Sequence, residues 1–419
     1  YSTQLAWQTD VNLAAFCFGC YGQAMVKIVQ VAPQDFPCTD VLFQTSFWGK
    51  IKEVCNSQTP YYFWVTAQFE NDENENSANQ YNFPLLVMVR RTKAGTVYAY
   101  AQRAPAVNIG EEFRSLLLED IAEALKEFLP KETVFVRFDL PWPKYSKKNE
   151  ELRNELLELS MNFGTRTHNL RKAPSNYLCP NTILLDLRFP PEKLLASMRQ
   201  QTRNSIRRAY REEVEFSIYD ATSPGLEEKL KDWHEIYVST AKRKEFFYEE
   251  IEYFRTIFRI SRNWTQLAMS EENSRTEGTC GFNKNNANAL VPMDAQVPPP
   301  KFYLFTAHKN KTLLSGLILA VCGKRAYYMY AASALEGREC MPNYGLQWEV
   351  MRFARSLGCT QYDLMGIPPN TDGANNMAGL YIFKTGFGGR KIHFDGTWDF
   401  PYNQEEYGNY RMNESLAMR

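Results

Sequence analysis

The sequence predicts a mixed α/β (α+β) fold in which one unit is used twice, and three observations predict it. Aromatic and β-branched runs bounded by turn residues alternate with amphipathic helical stretches. The order hairpin, helix, strand, proline turn occurs in both halves of the chain. Short segments also match across the halves: Tyr98-Ala-Tyr100 before Ala101 resembles Tyr328-Met-Tyr330 before Ala331, and Phe138-Asp-Leu-Pro141 resembles Tyr362-Asp-Leu-Met365. Recurrence of one supersecondary order implies two domains of related plan.

A chain of 419 residues with 44% apolar residues can bury two cores of ordinary size. Lysine plus arginine equals aspartate plus glutamate at 48 each, so no global field gathers nucleic acid or anionic lipid. A polyanion must be held by a local patch. The nine cysteines form no disulfide framework, and Cys17-Phe-Gly-Cys20 has no second Cys-x-x-Cys at zinc-ribbon spacing, which predicts reduced thiols and a cytoplasmic protein. The apolar run Leu13 to Tyr21 is too short to span a bilayer. Residues 1–24 lack an initiator methionine, read as a non-native or upstream leader, and the fold is expected to begin at Met25.

The first domain is expected over 25–178. Phe43, Phe47, Trp48 and Ile51 fall at helical spacing, with Lys50 and Lys52 off that face. A strand from Tyr61 to Phe69 precedes an acidic, asparagine-rich loop at 70–79. Leu85 to Arg91, a turn at Lys93-Ala-Gly95 and Val97 to Gln102 make a hairpin. The repeat of Phe113, Leu116, Leu117, Ile121, Leu125 and Phe128 predicts a helix over Glu112 to Phe128 that Pro130 closes. A strand, Val134 to Asp139, ends at Leu140-Pro-Trp-Pro143, and Glu150 to Asn162 is a further helix.

The second domain is expected over 179–392. Helices are predicted over Leu194 to Arg211, Leu226 to Lys244 and Glu249 to Ile260, with a strand near Val214 to Tyr219. The tract 270–300, rich in asparagine, glycine and proline, reads as a mobile insertion. Strands Phe302 to His308, Leu313 to Val321 and Tyr327 to Tyr330, a helix from about Tyr344 to Leu357 and a strand at Tyr362 complete the second copy. Gly379-Leu-Tyr-Ile-Phe-Lys-Thr-Gly-Phe-Gly-Gly389 then sets Lys384 between an aromatic, strand-like run and a glycine-rich turn. From about His393 the chain is expected to fold back onto the first domain.

This plan resembles the GNAT-type acyltransferases. Their coenzyme A loop, Arg or Gln followed by x-x-Gly-x-Gly or Ala, has no match: Arg338-Glu-Cys-Met-Pro-Asn-Tyr-Gly345 stands where the second copy needs it. An acyl donor other than a CoA thioester is implied. A Gly-x-Ser-x-Gly elbow and a Ser/His/Asp arrangement are both missing, which disfavours a covalent acyl-enzyme. His168, His234, His308 and His393 lack ligand spacing, so no metal is assigned.

The glycine-flanked Phe383-Lys384 stretch, Tyr362-Asp363 with Gly366, Tyr328-Met-Tyr330, Arg203-Asn-Ser-Ile206-Arg207-Arg208-Ala209 and Trp48-Gly-Lys-Ile-Lys52 together resemble the Fem-type (FemABX) aminoacyltransferases, in order from about Phe43 to Trp398. The resemblance implies two GNAT-like domains and transfer of an amino acid from aminoacyl-tRNA, a co-substrate, with no cofactor. The acceptor would be the side-chain amine of the third stem-peptide residue of a peptidoglycan precursor, nucleotide- or lipid-linked. A lipid-linked acceptor would bring peripheral membrane contact. By resemblance Lys384 stabilises the oxyanion at the ester carbonyl, and Phe383 walls the same cavity. Asp139 steers or deprotonates the acceptor amine, and Lys52 grips the diphosphate. Tyr253 and Tyr330 line that site, to which Trp48 and Asp363 also belong.

Arg199, Arg203, Arg207 and Arg211 are expected to meet the tRNA acceptor end through phosphates. Two departures stand out. Glu249 occupies the position of a family arginine before Glu250-Ile251-Glu252-Tyr253-Phe254, leaving Arg243, Lys244 or a lipid-linked acceptor to account for the difference. The long helical arm of some relatives is not expected.

Spacing alone leaves plainer alternatives open. Lys384 also fits a surface lysine at a hairpin end, the arginine stripe a solvated helix face, Lys52 a helix-surface charge and Asp139 a turn former. A GNAT-like transferase with another donor or acceptor, and a non-catalytic precursor-binding protein, are the rival functions.

Overall fold

A computed structural model describes residues 24–69, 79–143, 154–276, 297–368 and 378–417. In the first half, β1 (Ala24–Gln30), β2 (Thr59–Phe69), β3 (Asn79–Arg91) and β4 (Val97–Ala101) form an antiparallel run. Helix α1 (Ser46–Asn56) lies between β1 and β2, its N-terminus capped by Thr45 accepting from the Trp48 amide. After β4 the chain crosses through α2 (Glu111–Leu125) and returns as β5 (Thr133–Pro143), parallel to β4. A parallel pair needs such a crossover, because a tight turn can only reverse the chain.

The second half repeats the sequence of moves. After α3 (Asn154–Met161), the short β6 (Arg171–Lys172) and β7 (Asn181–Asp186) come α4 (Pro191–Ser197), α5 (Gln200–Arg211), β8 (Glu215–Asp220), α6 (Leu226–Lys244) and α7 (Ile251–Thr276). Strands β9 (Lys301–Lys309), β10 (Thr312–Cys322) and β11 (Arg325–Ser333) are antiparallel. Helix α8 (Pro342–Ser356) then crosses to β12 (Gln361–Asp363), parallel to β11. Hairpin, helix and parallel strand therefore occur twice, as the internal repeat predicts.

After α9 (Ala378–Gly386), strand β13 (Arg390–Pro401) joins the copies. Arg390 to His393 pair with β7, and Phe394 to Pro401 pair with β5. The result is one 13-stranded sheet, β1-β2-β3-β4-β5-β13-β7-β12-β11-β10-β9-β8, with β6 on β13. Helix α10 (Gln404–Ala417) returns to β5.

Two cores follow the repeat, one under α2 and one under α8. A third is shared: Phe43, Phe47, Trp48 and Ile51 of the α1 segment pack with Trp233, Phe254, Phe302 and Tyr327 of the second half. The Phe47 and Phe302 rings stack at 5.4 Å. The apolar face read from the sequence is thus buried against the other half, and Lys52 is carried to that junction.

The structure corrects three expectations. The run through Lys384 is helical: Phe383 and Phe387, four apart, close a cluster on Tyr344 that a strand could not form. Helix α7 continues through Ser270 to Thr276, seven residues into the tract expected to be irregular, and the remainder of that tract to residue 296 lies outside the described residues, as do the leader 1–23 and the acidic loop 70–78. The helix expected over Leu194 to Arg211 is broken at Met198 and Arg199, both extended; the freed Arg199 amide donates to the Gly386 carbonyl at 2.9 Å, satisfying a carbonyl at the end of α9. Among the described residues no second long helix runs back along α7.

Candidate active site

Lys384 sits in the last turn of α9 and is only 5% exposed. Its ammonium donates to the Gly366 carbonyl at 2.9 Å, approaches the Met365 carbonyl at 3.4 Å and lies 5.1 Å over the Tyr328 ring. Burial pulls its pKa down to about 8, against the opposing field of Asp363. Asp363 makes no ion pair with it among the described residues. The carboxylate instead accepts from the Met365 amide at 2.8 Å and from the Thr182 hydroxyl, holding the turn whose carbonyls Lys384 meets.

That turn is tight for a stated reason. A Cβ on Gly366 would lie 2.6 Å from the Cβ of Cys179, so only glycine lets the two segments approach. Phe383 is half-buried against Tyr344 and Phe387, at ring separations of 5.0 and 5.1 Å.

Lys52 gathers a second group. Its amine donates to the Tyr253 hydroxyl at 3.3 Å and lies 4.7 Å over the Trp48 ring and 5.2 Å over the Tyr253 ring. The Tyr253 and Tyr330 hydroxyls are 2.9 Å apart, and Trp48 is fixed by its indole N–H donating to Gln102 at 3.0 Å. Burial lowers the Lys52 pKa to about 8; Glu249 opposes that shift and Arg90 adds to it. Four residues expected at one binding site, Lys52, Trp48, Tyr253 and Tyr330, are therefore in contact, although α1 and α7 are some two hundred residues apart in the chain.

Asp139 lies inside β5, which runs on to Pro143 and does not end at Asp139 as expected, whereas its counterpart Asp363 ends β12. Asp139 is fully buried, with Arg103 at 3.6 Å on one oxygen and the Tyr100 hydroxyl at 3.4 Å on the other. Burial raises its pKa to about 6 while Arg103 and Tyr100 resist that rise. Arg103 also donates to the Cys179 carbonyl at 3.0 Å, and the Cys179 thiol donates to the Ile367 carbonyl at 2.9 Å, beside Gly366. Asp139 and Lys384, from opposite halves, are thus the ends of one contact chain through Arg103, Cys179 and Gly366. A further cation, Arg90 of β3, lies over Tyr98, Tyr100 and Tyr177 at 5.3 to 5.7 Å.

Arg199, Arg207 and Arg211 are exposed and Arg203 half-buried, and none of the four makes an ion pair among the described residues. The stripe begins where α5 meets α9, at the Arg199 to Gly386 bond.

Arg90, Arg103 and Cys179 were not singled out by the sequence. Strand alternation could have put Arg90 on one face of β3 with Met88, but nothing local says which face looks toward the other half. Among the described residues no group of three or more His, Cys, Asp or Glu side chains could hold a metal ion.

A family model described as the FemAB family matches residues 36–276 and 303–415. A relative named lipid II:glycine glycyltransferase from Staphylococcus haemolyticus (strain JCSC1435) is 27% identical over 236 residues, 48% of this chain and 56% of the relative. A protein of the same name from Staphylococcus aureus (strain MSSA476) is 24% identical over 264 residues, 55% of this chain and 61% of the relative. The match thus spans less than two thirds of each relative. The crystal structure of FemX superposes with a TM-score of 0.63 at 16% identity, covering 92% of this chain and 100% of that chain, which shows a common fold.

Proposed function

Since this chain belongs to the FemAB family, we propose that it transfers an amino acid from aminoacyl-tRNA to the side-chain amine of the third stem-peptide residue of a lipid-linked peptidoglycan precursor. The names of its relatives favour glycine as the amino acid and lipid II as the acceptor. The observation that carries the reading is the junction of the halves: a buried lysine, Lys384, lies at one end of a contact chain and a buried carboxylate, Asp139, at the other.

In this reading the neutral acceptor amine attacks the ester carbonyl carbon of the aminoacyl-tRNA. The C=O electron pair moves onto oxygen, and the Lys384 ammonium stabilises that charge in a site that excludes water. Collapse re-forms the carbonyl and breaks the ester C–O bond, and the proton given up by the attacking nitrogen goes to the ribose oxygen, which leaves as the hydroxyl. The product is an amide, with no covalent enzyme intermediate. Asp139 has no exposed surface, so its task is to hold Arg103 and Tyr100 at the cleft. Phe383 and its aromatic neighbours keep the wall apolar, Lys52 with Tyr253, Tyr330 and Trp48 receives the precursor, and the α5 arginines meet the tRNA acceptor end through phosphates.

The direct test is transfer of radiolabelled glycine from glycyl-tRNA to lipid II by the purified chain. Label must appear on the precursor and depend on the ester; precursor binding without transfer would instead favour a non-catalytic role. The same assay gives a pH profile. The acceptor amine must be neutral, so its deprotonation raises the rate with pH; Lys384 must be protonated and its pKa is lowered to about 8, so that rise levels off above about 8. Asp139 must be a carboxylate and its pKa is raised to about 6, so the fall in rate steepens as pH drops through about 6. A profile still climbing at about tenfold per pH unit at pH 9 would remove a buried ammonium from the rate-limiting step.

A further inference from the structure

Arg90 is half-buried, with its guanidinium against three tyrosine rings: 5.7 Å from Tyr98, 5.4 Å from Tyr100 and 5.3 Å from Tyr177. Rings can receive the faces of a guanidinium but not its in-plane N–H groups, of which there are five. Among the described residues Arg90 makes no ion pair and no hydrogen bond to satisfy them.

The neighbouring cations differ. Arg137 is clamped by two carboxylates, and Arg103 is held by Asp139 and the Cys179 carbonyl. Arg243, a candidate on sequence grounds to replace the family arginine at Glu249, donates to the Ser333 carbonyl and lies by Thr240. Among the described residues Lys52 donates only to the Tyr253 phenol, and the Gln58 amide donates to the Lys52 carbonyl at 3.3 Å just before Thr59 pairs with Val89, which sets the end of α1 beside Arg90 on β3. Two half-buried cations with donors unspent are stabilised by an anion placed between them.

We propose that Arg90 and Lys52 together form the anion site of the cleft and bind the diphosphate of the acceptor precursor, Arg90 supplying from the first half the charge that Glu249 does not supply from the second. Arg90 is the planar, multi-donor partner and Lys52 the point charge, a combination suited to adjacent phosphate groups. The Tyr253 and Tyr330 hydroxyls stand beside Lys52 as further donors. This rests on the reading of Lys52 as the lysine that grips the precursor.

The test measures binding of inorganic pyrophosphate by calorimetry to wild type, Arg90→Gln, Arg90→Lys, Lys52→Gln and Arg91→Gln. Arg91 loses the same charge one residue along β3, on the opposite face, where it meets Glu132 and the Gly95 carbonyl. Arg90→Gln is expected to weaken binding about tenfold, one charge-assisted contact, with Arg90→Lys recovering part of the loss and Arg91→Gln unchanged. In transfer assays Arg90→Gln should raise KM for lipid II by about the same factor, with kcat and KM for glycyl-tRNA unchanged.

Unaltered pyrophosphate affinity in Arg90→Gln, beside a loss in Lys52→Gln, would overturn the role of Arg90 and leave the reading of Lys52 intact. Unaltered affinity in Lys52→Gln would overturn that reading itself. Equal losses in Arg91→Gln would reduce the effect to long-range charge and overturn the proposal. A KM increase confined to glycyl-tRNA would assign the pair to tRNA phosphates and overturn the diphosphate assignment.

Discussion

Lys384→Met is expected to lower kcat for amino-acid transfer by about 10²–10³-fold, the usual loss when one donor to a developing oxyanion is removed. KM for both substrates should change little, because the ammonium acts on charge that exists only in the transition state. The melting temperature should hold or rise. A lysine whose pKa is pulled from 10.5 to about 8 by burial pays roughly 3 kcal/mol to stay charged at neutral pH. Methionine fills much of the same volume without that charge, at the loss of the bond to Gly366. The sign follows from linkage: the unfolded lysine keeps its proton to higher pH, so the penalty is present below about pH 8 and relieved above it. Activity and stability thus move in opposite directions. Transfer that survived the substitution, or a protein that unfolded because of it, would make Lys384 a structural residue.

Arg137→Ala is expected to cost about 3–5 kcal/mol of stability, the range for breaking a buried ion pair and stranding its partner. Arg137 is fully buried. It meets Asp399 of β13 at 2.7 and 2.8 Å and Glu414 of α10 at 2.7 and 2.8 Å, and Tyr407 donates to Asp399 at 3.0 Å. Burial opposes the charged guanidinium, but the two carboxylates hold its pKa above the usual range. Burial likewise opposes the Glu414 carboxylate, and Arg137 holds its pKa below the usual value. That contribution is present at neutral pH and lost as pH falls through the Glu414 titration, so the variant should lose less stability on acidification than wild type. Urea denaturation at pH 7 and pH 4 checks both statements. Equal midpoints for variant and wild type at pH 7 would mean the network adds nothing net. The position matters because β13 and α10 attach the end of the chain to the first half, beside β5 and Asp139.

Much of the architecture was legible. Apolar and aromatic runs and helical spacing placed β4, α2, β9, β10 and α6 close to their observed bounds, because each is a continuous stretch of one pattern bounded by turn residues, whereas β3 starts at Asn79, six residues before the expected Leu85. Matching Tyr-x-Tyr and Asp-Leu segments revealed the repeat. The helix around Lys384 was misread because Tyr381, Ile382 and Phe383 favour strands locally; packing of Phe383 and Phe387 on Tyr344 overrides that preference. The break at Arg199 has no local signal either, since its amide is needed by Gly386 on another element.

For the site, the glycine-flanked stretch drew attention to Lys384, whereas Asp139, Lys52, Tyr253 and Tyr330 were singled out only through the resemblance to the Fem-type family. Their chemistry and spacing are properties of the chain. Only the tertiary structure decided that Lys52 meets Tyr253 and, through it, Tyr330, that Asp139 connects to Lys384 through Arg103 and Cys179, and that Arg90 lies against three tyrosine rings with no ion pair among the described residues. The physical reason is that local sequence sets which face of an element is apolar, whereas the placing of two such elements depends on a shared core. Here α1 is buried against the second half, and β13 pairs with both β5 and β7. Burial at that junction, invisible in composition or periodicity, is also what moves two ordinary lysines toward neutral pH.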